Sequence, residues 1–400
     1  MKVFYGKAVY NQKEISAVIN VLKKKPLSLM DGPAVKTFEV KIAKLFGKKY
    51  GLMVNSGSSA NLLALASLEL KRDSEIITPT LTFSTTVSPI YHLNLKPFFV
   101  DVEPNKFVAD ISQIERCINK NTRAIMLPNL LGNVPNWIRL KKLVKKHRIK
   151  LIEDSADTIG YKIGNKNTGK VTDITTSSFY ASHVITGAGF GGIVCFNDKK
   201  QYEKAKLLRG WGRSSAIYNE KESVKLRFKS KIKTIPYDGK YIFSEMGYNF
   251  LPSEISAAFA LEQLKKLNEN LKKRKNNFIK LTSFFKKYPK IFNLPITSKN
   301  LKTGWLAYPL TLKTTKFFTR TEFQIYLEKR GIQTRTIFTG NILRQPIMKN
   351  RKYKKTKNSN IVSDFVMKNG LLLGCHHGLT NQEINFICNT VKKFLNRKII

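Results

Sequence analysis

Residues 51–61 have the sequence Gly-Leu-Met-Val-Asn-Ser-Gly-Ser-Ser-Ala-Asn. The apolar run 51–54 predicts a strand, and Ser58–Leu70 predicts a helix that begins directly after a turn of small residues. Small side chains let backbone N–H groups approach an anion, and a helix N-terminus favours negative charge. The turn is therefore a candidate phosphate site. An N-cap with a tight turn explains the pattern equally well, since it matches neither Gly-x-Gly-x-x-Gly nor a Walker loop.

Short apolar runs alternate with helical patterns from about residue 50 to residue 200. Further strands are predicted at Ile76–Pro79, Phe98–Val102, Ala124–Leu127, Lys150–Glu153, Ser177–Tyr180 and Gly192–Phe196, and a basic helix at Trp137–His147. This alternation favours an α/β fold with a largely parallel sheet covered by helices on both faces. Ligands of such sheets bind beyond the carboxyl ends of the strands.

The second half of the chain has a different pattern. A polar, lysine-rich stretch at Ser214–Gly239 predicts a long loop, and Pro252–Phe284 predicts a long helix. Beyond it we expect a strand near Trp305–Leu312, a helix at Arg320–Lys329, a strand at Ile332–Ile337 and a final helix at Asn381–Phe394. The sequence therefore predicts a large domain over 1–250, with an N-terminal arm, and a smaller C-terminal α+β domain over 251–400.

Composition limits the classes of protein to consider. The 400 residues are 42% hydrophobic with a formal net charge of +44, which excludes an acidic or mostly disordered chain. No apolar run is long enough to span a bilayer, and the N-terminus has no signal-peptide pattern, so we expect a cytoplasmic protein. The lysines are scattered, which favours a solvated surface, so we expect no nucleic-acid partner; the net charge is the one feature that would support nucleic-acid binding.

The four cysteines lie at 117, 195, 375 and 388. None of their spacings resembles a Cys-x-x-Cys framework for a metal or a cluster. Isolated cysteines with apolar neighbours are usually core residues, and we expect no disulfide and no metal site.

Two later segments carry candidate chemistry. Glu153, Asp154 and Asp157 end a predicted strand, where a carboxylate can bind a metal, a ribose or a protonated ring nitrogen, or simply cap a helix. Ser178 and His183 belong to Ser-Ser-Phe-Tyr-Ala-Ser-His, which precedes a glycine-rich stretch. A lone histidine is more often structural than catalytic, so its meaning depends on the other motifs.

In this order, the small-residue turn, the strand-end Asp154 and the Ser-Phe turn resemble the DegT/DnrJ/EryC1/StrS sugar aminotransferases, which are pyridoxal-phosphate enzymes of fold type I. The resemblance covers nearly the whole chain. Further matching segments are Phe99–Val102, Gly247-Tyr248-Asn249, Ser253-Glu254 and Ala257-Ala258. The resemblance implies the aspartate-aminotransferase-like fold, with a large cofactor-binding domain and a smaller C-terminal domain.

One position departs from the aminotransferases of this family. Their lysine, five residues after the serine of Ser-Phe, binds the cofactor covalently, and here that position is His183. The segment between Lys170 and Lys199 contains no other lysine. A histidine at this position is a feature in which the chain resembles the nucleotide-hexose 3-dehydratases. Two further features resemble them: Asp157, where the aminotransferases usually have glutamine, and the segment 331–346.

One branch of these dehydratases carries a [2Fe–2S] cluster, with cysteines around the Glu-Asp motif and after a Trp-Gly-Arg motif. Here Ser155 and Ala156 follow the first motif, and Ser214 and Ser215 follow Trp211-Gly212-Arg213. A cluster needs about four thiolates brought together. The chain therefore resembles the branch without an iron–sulfur cluster.

The resemblance also implies roles for individual residues. His183 is the expected catalytic base, Asp154 the partner of the pyridine nitrogen, and Phe83 the ring that stacks on the cofactor. The other expected cofactor-binding residues are Gly57, Ser58, Asp157, Ser178 and, from the second subunit of a homodimer, Asn249. The candidates for binding the glutamate carboxylate or the sugar diphosphate are Arg209, Arg213, Arg335 and Arg344.

The expected activity is a 3-dehydratase that uses pyridoxamine phosphate. It removes the C3 hydroxyl of a nucleotide-linked 4-keto-6-deoxyhexose to give a 3,6-dideoxy-4-keto sugar, and L-glutamate regenerates the amine form from pyridoxal phosphate. Two alternatives stay open. A sugar aminotransferase needs a lysine where this chain has His183. A non-catalytic scaffold that still binds its ligand is the other alternative; Asp154, Ser178 and the small-residue turn argue against decay of the cofactor site but do not exclude a sensor without turnover.

Overall fold

We describe the protein from a computed structural model, which describes residues 1–26, 28–217, 224–357 and 359–399. Its strands are β1 (Tyr50–Val54), β2 (Glu75–Pro79), β3 (Lys96–Val100), β4 (Thr122–Pro128), β5 (Lys150–Asp154), β6 (Lys162–Ile163), β7 (Lys166–Asn167), β8 (Ile174–Ser178), β9 (Gly192–Phe196), β10 (Lys231–Ile232), β11 (Ile235–Pro236), β12 (Phe292–Asn293), β13 (Leu301–Lys302), β14 (Tyr308–Leu312), β15 (Thr334–Arg335), β16 (Lys354–Lys355) and β17 (Gly370–Leu373).

The α-helices follow the same chain order. They are α1 (Gln12–Lys23), α2 (Pro33–Phe46), α3 (Gly57–Ala66), α4 (Ser84–His92), α5 (Ile111–Cys117), α6 (Trp137–Val144), α7 (Lys199–Arg209), α8 (Val224–Arg227), α9 (Glu254–Lys265), α10 (Leu267–Phe285), α11 (Arg320–Glu328), α12 (Ile361–Asn369) and α13 (Asn381–Ile399).

The large sheet has the strand order β1-β9-β8-β5-β4-β2-β3-β16. Pairing is parallel from β8 through β16, while β9 runs antiparallel to both β1 and β8. Strands β2, β8 and β9 are buried along their whole length. Such runs are typical of a sheet covered on both faces, and the predicted α/β fold with a mostly parallel sheet is confirmed.

A second, antiparallel sheet has the order β12-β14-β17-β15 and lies between residues 292 and 373. Its apolar core includes residues of α10, α11 and α13, among them Leu281, Phe323 and Phe394. The division at residue 250 remains a prediction. Helix α9 follows that boundary in sequence but packs against α1 and α2.

Two sequence predictions change in detail. The long helix predicted over 252–284 is two helices, α9 and α10, which meet at Lys266, the C-cap residue of α9. In the predicted loop 214–239, residues 218–223 lie outside the described residues. The rest of it contains α8 and the hairpin β10–β11.

The elements that position the functional residues meet at one edge of the large sheet. Strand β5 ends at Asp154 and β8 ends at Ser178, while α3 begins at Gly57 directly after β1. A β-bridge between Ser56 and Gly191 joins the α3 turn to the segment that precedes β9. Residues far apart in the sequence therefore converge at the carboxyl ends of the parallel strands.

Candidate active site

A cavity of about 410 Å³ lies at this edge. We call it the inner cavity; the residues that matter most in its wall are Gly57, Asp154, Asp157, Ser178 and His183. A wider outer cavity of about 810 Å³ adjoins it, with Gln333, Arg335, Thr339 and Gln345 in its wall. The two cavities share Tyr5, Phe83, Tyr180, Ser182 and Phe338.

One end of the inner cavity is the N-terminus of α3. The side chain of Ser56 caps the helix by accepting a hydrogen bond of 3.1 Å from the backbone N–H of Ser59. A Cβ atom on Gly57 would lie 2.7 Å from Cβ of Ser178, so only glycine fits beside this strand end. Ser58 and Ser178 line the same end of the cavity. The structure thus brings the three predicted phosphate-binding residues together around a helix N-terminus.

Asp154 is a buried carboxylate at the end of β5. Its Oδ2 accepts hydrogen bonds of 2.8 Å from Asn61 Nδ2 and from Thr86 Oγ1, and its Oδ1 accepts one of 3.2 Å from the N–H of Ala156. Burial raises the pKa of Asp154, and these three hydrogen bonds oppose the rise. In the described part of the chain the carboxylate has donors but no ion pair, which leaves room for a cationic partner from a ligand.

Asp157 lies one turn further along the chain, and its Oδ2 accepts a hydrogen bond of 2.8 Å from the N–H of Leu131. Burial raises the pKa of Asp157 to about 7, and the charge of Asp154 adds to the rise. Its Oδ1 is 3.9 Å from Nε2 of His183, too far for a hydrogen bond. The two carboxylates therefore differ in chemistry: Asp154 has several donors, while Asp157 faces the histidine.

His183 lies in the turn after β8, with 15% of its side chain exposed. Its Nδ1 is 3.1 Å from the carbonyl oxygen of Ser178. Because a carbonyl only accepts, Nδ1 carries the proton and Nε2 presents its lone pair beside Asp157. Burial lowers the pKa of His183 to about 4, against the hydrogen bond to Ser178. The imidazole is thus a neutral base at pH 7, and its neutral fraction is larger than it would be at the ordinary histidine pKa.

Phe83 is half exposed and lies at the boundary of the two cavities. Its ring packs edge-to-face against Phe338, with 6.0 Å between centroids. Tyr5, from the N-terminal segment, lines both cavities, and the Arg335 guanidinium lies 5.5 Å from the centroid of its ring. The wall opposite the sheet is therefore aromatic and comes from three distant segments.

The four candidate arginines lie in different surroundings. Arg335 lines the outer cavity. Arg344 forms an ion pair with Asp364, with 2.7 Å between Nη2 and Oδ2, and is largely exposed. Arg213 stacks over the ring of Trp211 at 4.5 Å.

Arg209 is buried and bonded to the protein itself. Its guanidinium is 3.0 Å from Asp31 Oδ2 and 3.1 Å from Glu39 Oε1, and it donates a 2.8 Å hydrogen bond to the carbonyl oxygen of Met53. Arg209 therefore lies outside the walls of both cavities. Asn249 also lies outside both walls; it is exposed and forms a β-bridge with Gly210.

Sequence reasoning missed several residues of the site. Asn61 and Thr86 bond to Asp154, and Asn61 is the last residue of the stretch 51–61 quoted above. The available signal for Asn61 was an amide in an otherwise apolar helix. Tyr5 and Phe338 carry no local signal, because only the tertiary fold brings them to the cavity.

The residues present fit pyridoxal or pyridoxamine phosphate. The space that a Cβ atom on Gly57 would fill and the N-terminus of α3 suit a phosphate. Asp154, buried with donors but no cation among the described residues, suits a protonated ring nitrogen. Phe83 lines the same cavity and offers an aromatic ring. These residues together are the donor set that this cofactor requires.

Other site classes find no support in the described ranges. They contain no group of three His, Cys, Asp or Glu residues arranged to hold a metal ion, and Cys117, Cys195, Cys375 and Cys388 are free. No helix among these residues has the length and apolarity needed to cross a membrane.

Comparisons with known proteins agree with this geometry. The sequence model of the DegT/DnrJ/EryC1/StrS aminotransferase family matches residues 9–392. The dTDP-4-dehydro-2,6-dideoxy-D-glucose 3-dehydratase of Saccharopolyspora spinosa is 34% identical over 383 residues, which cover 92% of this chain and 82% of that protein. The GDP-4-keto-6-deoxy-D-mannose 3-dehydratase of Yersinia pseudotuberculosis is 30% identical over 400 residues, covering 96% and 97%.

A solved structure shows the same likeness in three dimensions. The E. coli GDP-4-keto-6-deoxy-D-mannose-3-dehydratase with bound hydrated pyridoxal phosphate superposes with a TM-score of 0.86 at 29% identity. The match covers 98% of this chain and all of that chain. The similarity therefore extends over both the large sheet and the smaller C-terminal sheet.

Proposed function

This chain belongs to the DegT/DnrJ/EryC1/StrS aminotransferase family, and we propose that it is a 3-dehydratase that uses pyridoxamine phosphate. Its substrate is a nucleotide-linked 4-keto-6-deoxyhexose, from which it removes the C3 hydroxyl to give a 3,6-dideoxy-4-keto sugar. L-Glutamate regenerates the amine form of the cofactor. The product class suits the dideoxysugars of cell-surface polysaccharides.

One observation carries this proposal. Among the described residues in the wall of the inner cavity there is a neutral histidine but no lysine. A sugar aminotransferase needs a lysine amine that can bind the cofactor covalently, and a histidine cannot form that bond. His183 accepts and returns a proton without trapping the cofactor, as a dehydratase requires.

The chain holds the cofactor through residues from three elements. Gly57 and Ser58 at the start of α3, together with Ser178 at the end of β8, bind the phosphate, while Asp154 keeps the ring nitrogen protonated. Phe83 covers one face of the ring. When bound, the cofactor supplies an electron sink for the breaking C3–O bond.

His183 moves the proton. The hydrogen bond from Nδ1 to the carbonyl oxygen of Ser178 fixes the tautomer, so Nε2 is the atom that takes up the proton. Burial lowers the pKa of His183 to about 4, so the protonated ring gives up its proton to the departing C3 hydroxyl more readily than an exposed imidazolium would. Asp157, with a pKa of about 7, faces the same nitrogen and favours the charged ring when ionised.

The outer cavity accommodates the nucleotide part of the substrate. Its volume of about 810 Å³ exceeds that of the inner cavity, and Arg335 offers a planar guanidinium for the diphosphate. Gln333 and Gln345 add amide groups to the same wall. A screen of GDP-, CDP-, UDP- and dTDP-linked 4-keto-6-deoxyhexoses identifies the nucleotide.

A homodimer completes the site in this proposal. Asn249, which reaches the phosphate of the second subunit in the family pattern, is exposed here. Near it in sequence lie four apolar side chains that are 54–95% exposed: Ile235, Phe228, Phe243 and Met246. Apolar surface of this kind marks an interaction site. Sedimentation equilibrium should give a dimer of about 91 kDa, twice 45.7 kDa; a stable monomer with full activity would contradict the shared site.

The proposed function is tested by spectroscopy and mass measurement on the reconstituted protein. Absorbance is recorded before and after L-glutamate, and a sample is then treated with borohydride and its intact mass measured. We expect a glutamate-driven shift to the amine form and no covalent cofactor mass. A borohydride-fixed cofactor in the wild type would instead favour the aminotransferase, and no bound cofactor would favour the scaffold.

Two variants at one position sharpen this test. His183→Lys introduces an amine, so we expect a covalent cofactor mass and loss of dehydration. His183→Asn is the matched control: it lacks both the base and the amine, so dehydration should fall about 10²–10⁴-fold with no covalent mass. Dehydration at the wild-type rate in either variant would remove His183 from the mechanism.

A further inference from the structure

Arg274, on α10, is completely buried. Its Nη1 donates hydrogen bonds to the carbonyl oxygens of Leu306 at 2.9 Å and Trp305 at 3.3 Å, and its Nε donates one of 3.2 Å to Nδ1 of His377. All of these acceptors are neutral. Buried charges are normally paired with an opposite charge, whereas no carboxylate forms an ion pair with Arg274 within the described ranges.

The fourth hydrogen bond of Arg274 leads to the active site. Its Nη2 donates to the carbonyl oxygen of His183 at 3.4 Å. Both His183 and Leu306 line the inner cavity, so the guanidinium lies directly behind the cavity wall. It joins the turn after β8 to the segment before β14 and, through His377, to the segment before α13.

We propose that Arg274 is a positioning residue for proton transfer. It fixes the main chain at His183 through the hydrogen bond to the carbonyl oxygen, and its positive charge adds to the effect of burial in disfavouring the protonated imidazole. The inference rests on the proposed function, in which His183 moves that proton. A role in proton transfer would explain why a guanidinium without an ion pair among the described residues lies in the interior, where such a charge lowers stability.

Among the described residues, Arg274 is the cation whose charge acts on His183. Asp157 and the ring of Tyr180 face His183 from its other sides. Because the pKa of Asp157 is about 7, this acid is protonated in slightly acidic solution and does not offset the guanidinium there. The charge of Asp157 also acts on Arg274. The other titratable groups around Arg274 have pKa values that burial shifts toward the neutral form: Tyr5, Tyr161, Cys375, His376 and His377.

The strength of the effect follows from this environment. Burial is the main reason that the pKa of His183 is low, and the charge of Arg274 acts in the same direction. A like charge disfavours the protonated ring more strongly in the protein interior than in water. Removing the guanidinium should therefore raise the pH at which His183 takes up its proton.

The experiment is a titration followed by ¹⁵N NMR of the histidine rings in the cofactor-loaded protein without substrate. The chain has five histidines, so the signals are few, and His183→Asn assigns the one in question. We expect wild-type His183 to stay neutral, with Nδ1 protonated, down to about pH 5. In Arg274→Gln the midpoint should rise by about one pH unit.

Arg274→Lys is the matched control, because it keeps the positive charge and should keep the wild-type midpoint within about 0.3 units. Turnover gives a second readout: in Arg274→Gln kcat should fall about tenfold with little change in KM, and the acidic limb of its pH profile should move upward. A purely structural role would change stability and leave the midpoint where it was.

An identical midpoint in wild type and Arg274→Gln would overturn the inference. If Arg274→Gln fails to fold, Arg274→Met replaces it as the apolar isostere and is titrated in the same way. The wild-type protein gives a second test, because a charged His183 at pH 6 would overturn the proposal. The titration needs no turnover, so it stands even if the protein proves not to dehydrate nucleotide sugars. Failure of the proposed function is read separately, from the glutamate-driven spectrum.

Discussion

The two ends of the inner cavity are built in different ways. Gly57, Asp154 and Ser178, at what we call the strand-built end, sit on or directly beside α3, β5 and β8. Asp157 and His183, at the loop-built end, lie in turns that contact other segments: Asp157 accepts a hydrogen bond from the N–H of Leu131, and the carbonyl oxygen of His183 accepts one from the side chain of Arg274. The first end can be located from local sequence patterns. The second depends on tertiary contacts, and its chemistry is set by burial.

The pKa values of the two carboxylates show the same contrast. Burial raises both, but Asp154 keeps three hydrogen-bond donors whereas Asp157 keeps the single N–H of Leu131. Hydrogen bonds from donors favour the charged form of a carboxylate, so the three donors of Asp154 oppose the effect of burial on its pKa, as the N–H of Leu131 does for Asp157. Two acids three residues apart are therefore suited to different tasks: charge stabilisation and control of the histidine.

The largest effect is expected at the strand-built end. Asp154→Asn keeps the shape and can still accept hydrogen bonds from Asn61 and Thr86, but it cannot hold a ring nitrogen in its protonated form. We expect turnover to fall about 10²–10³-fold, the range found when one electrostatic stabiliser is removed. Initial rates of product formation from the nucleotide sugar, with cofactor saturation checked by absorbance, measure the loss.

Thr86→Val is the matched control for Asp154→Asn. It removes one donor to the carboxylate and leaves its charge, so turnover should fall by no more than about tenfold. Turnover of Asp154→Asn within about threefold of the wild type would show that this carboxylate does not activate the cofactor.

The sequence was sufficient for the strand-built end and for the fold class. The turn 55–58 and Asp154 are each flanked by an apolar strand, so their place at the carboxyl edge follows from the parallel topology. Strand β1 and helix α3 also begin within one residue of where the pattern predicts them. The local sequence pattern is enough to predict these elements, because an apolar run that is buried on both faces has one possible position in the fold.

The loop-built end could not be predicted in the same way. His183 was identified by its position in a motif, but nothing in its neighbourhood indicates that Leu306 and Arg274 lie behind it. Nor does local sequence show that Arg209 is bonded to Asp31 and Glu39, which are some 170 residues away. Such pairs arise from packing between elements, and a single sequence carries no periodic signal for them.

The second prediction concerns the loop-built end and the pH dependence of stability. Asp157 has a folded pKa of about 7, well above the value of about 3.9 expected for the unfolded chain. Between these values the folded protein binds the proton more tightly, so raising the pH lowers the free energy of unfolding. The difference of about three units corresponds to a loss on the order of 4 kcal/mol, complete above about pH 7.

Asp157→Asn cannot ionise, so it should lose this part of the pH dependence. Urea unfolding of the cofactor-free protein at pH 5 and pH 8 measures it: relative to the wild type, the variant should gain stability as the pH rises. Asp364→Asn is the control, because the ion pair with Arg344 lowers the pKa of Asp364 and keeps it ionised across this range. A stability difference between Asp157→Asn and wild type that is the same at both pH values would contradict the assigned pKa.

The smallest effect is expected from Gly57→Ala, which tests how tightly the strand-built end is packed. The added methyl would lie 2.7 Å from Cβ of Ser178 and 3.1 Å from its Oγ, so the α3 turn must move away from β8. Overpacking of this kind costs about 1–3 kcal/mol, and the displaced N–H groups should bind the cofactor phosphate about tenfold more weakly. Ser178→Gly removes the opposing atoms. The double variant Gly57→Ala/Ser178→Gly should therefore lose less stability than the two single variants add up to. Additive losses in urea unfolding would show that the two positions do not touch, and that the strand-built end tolerates change as readily as the loops opposite it.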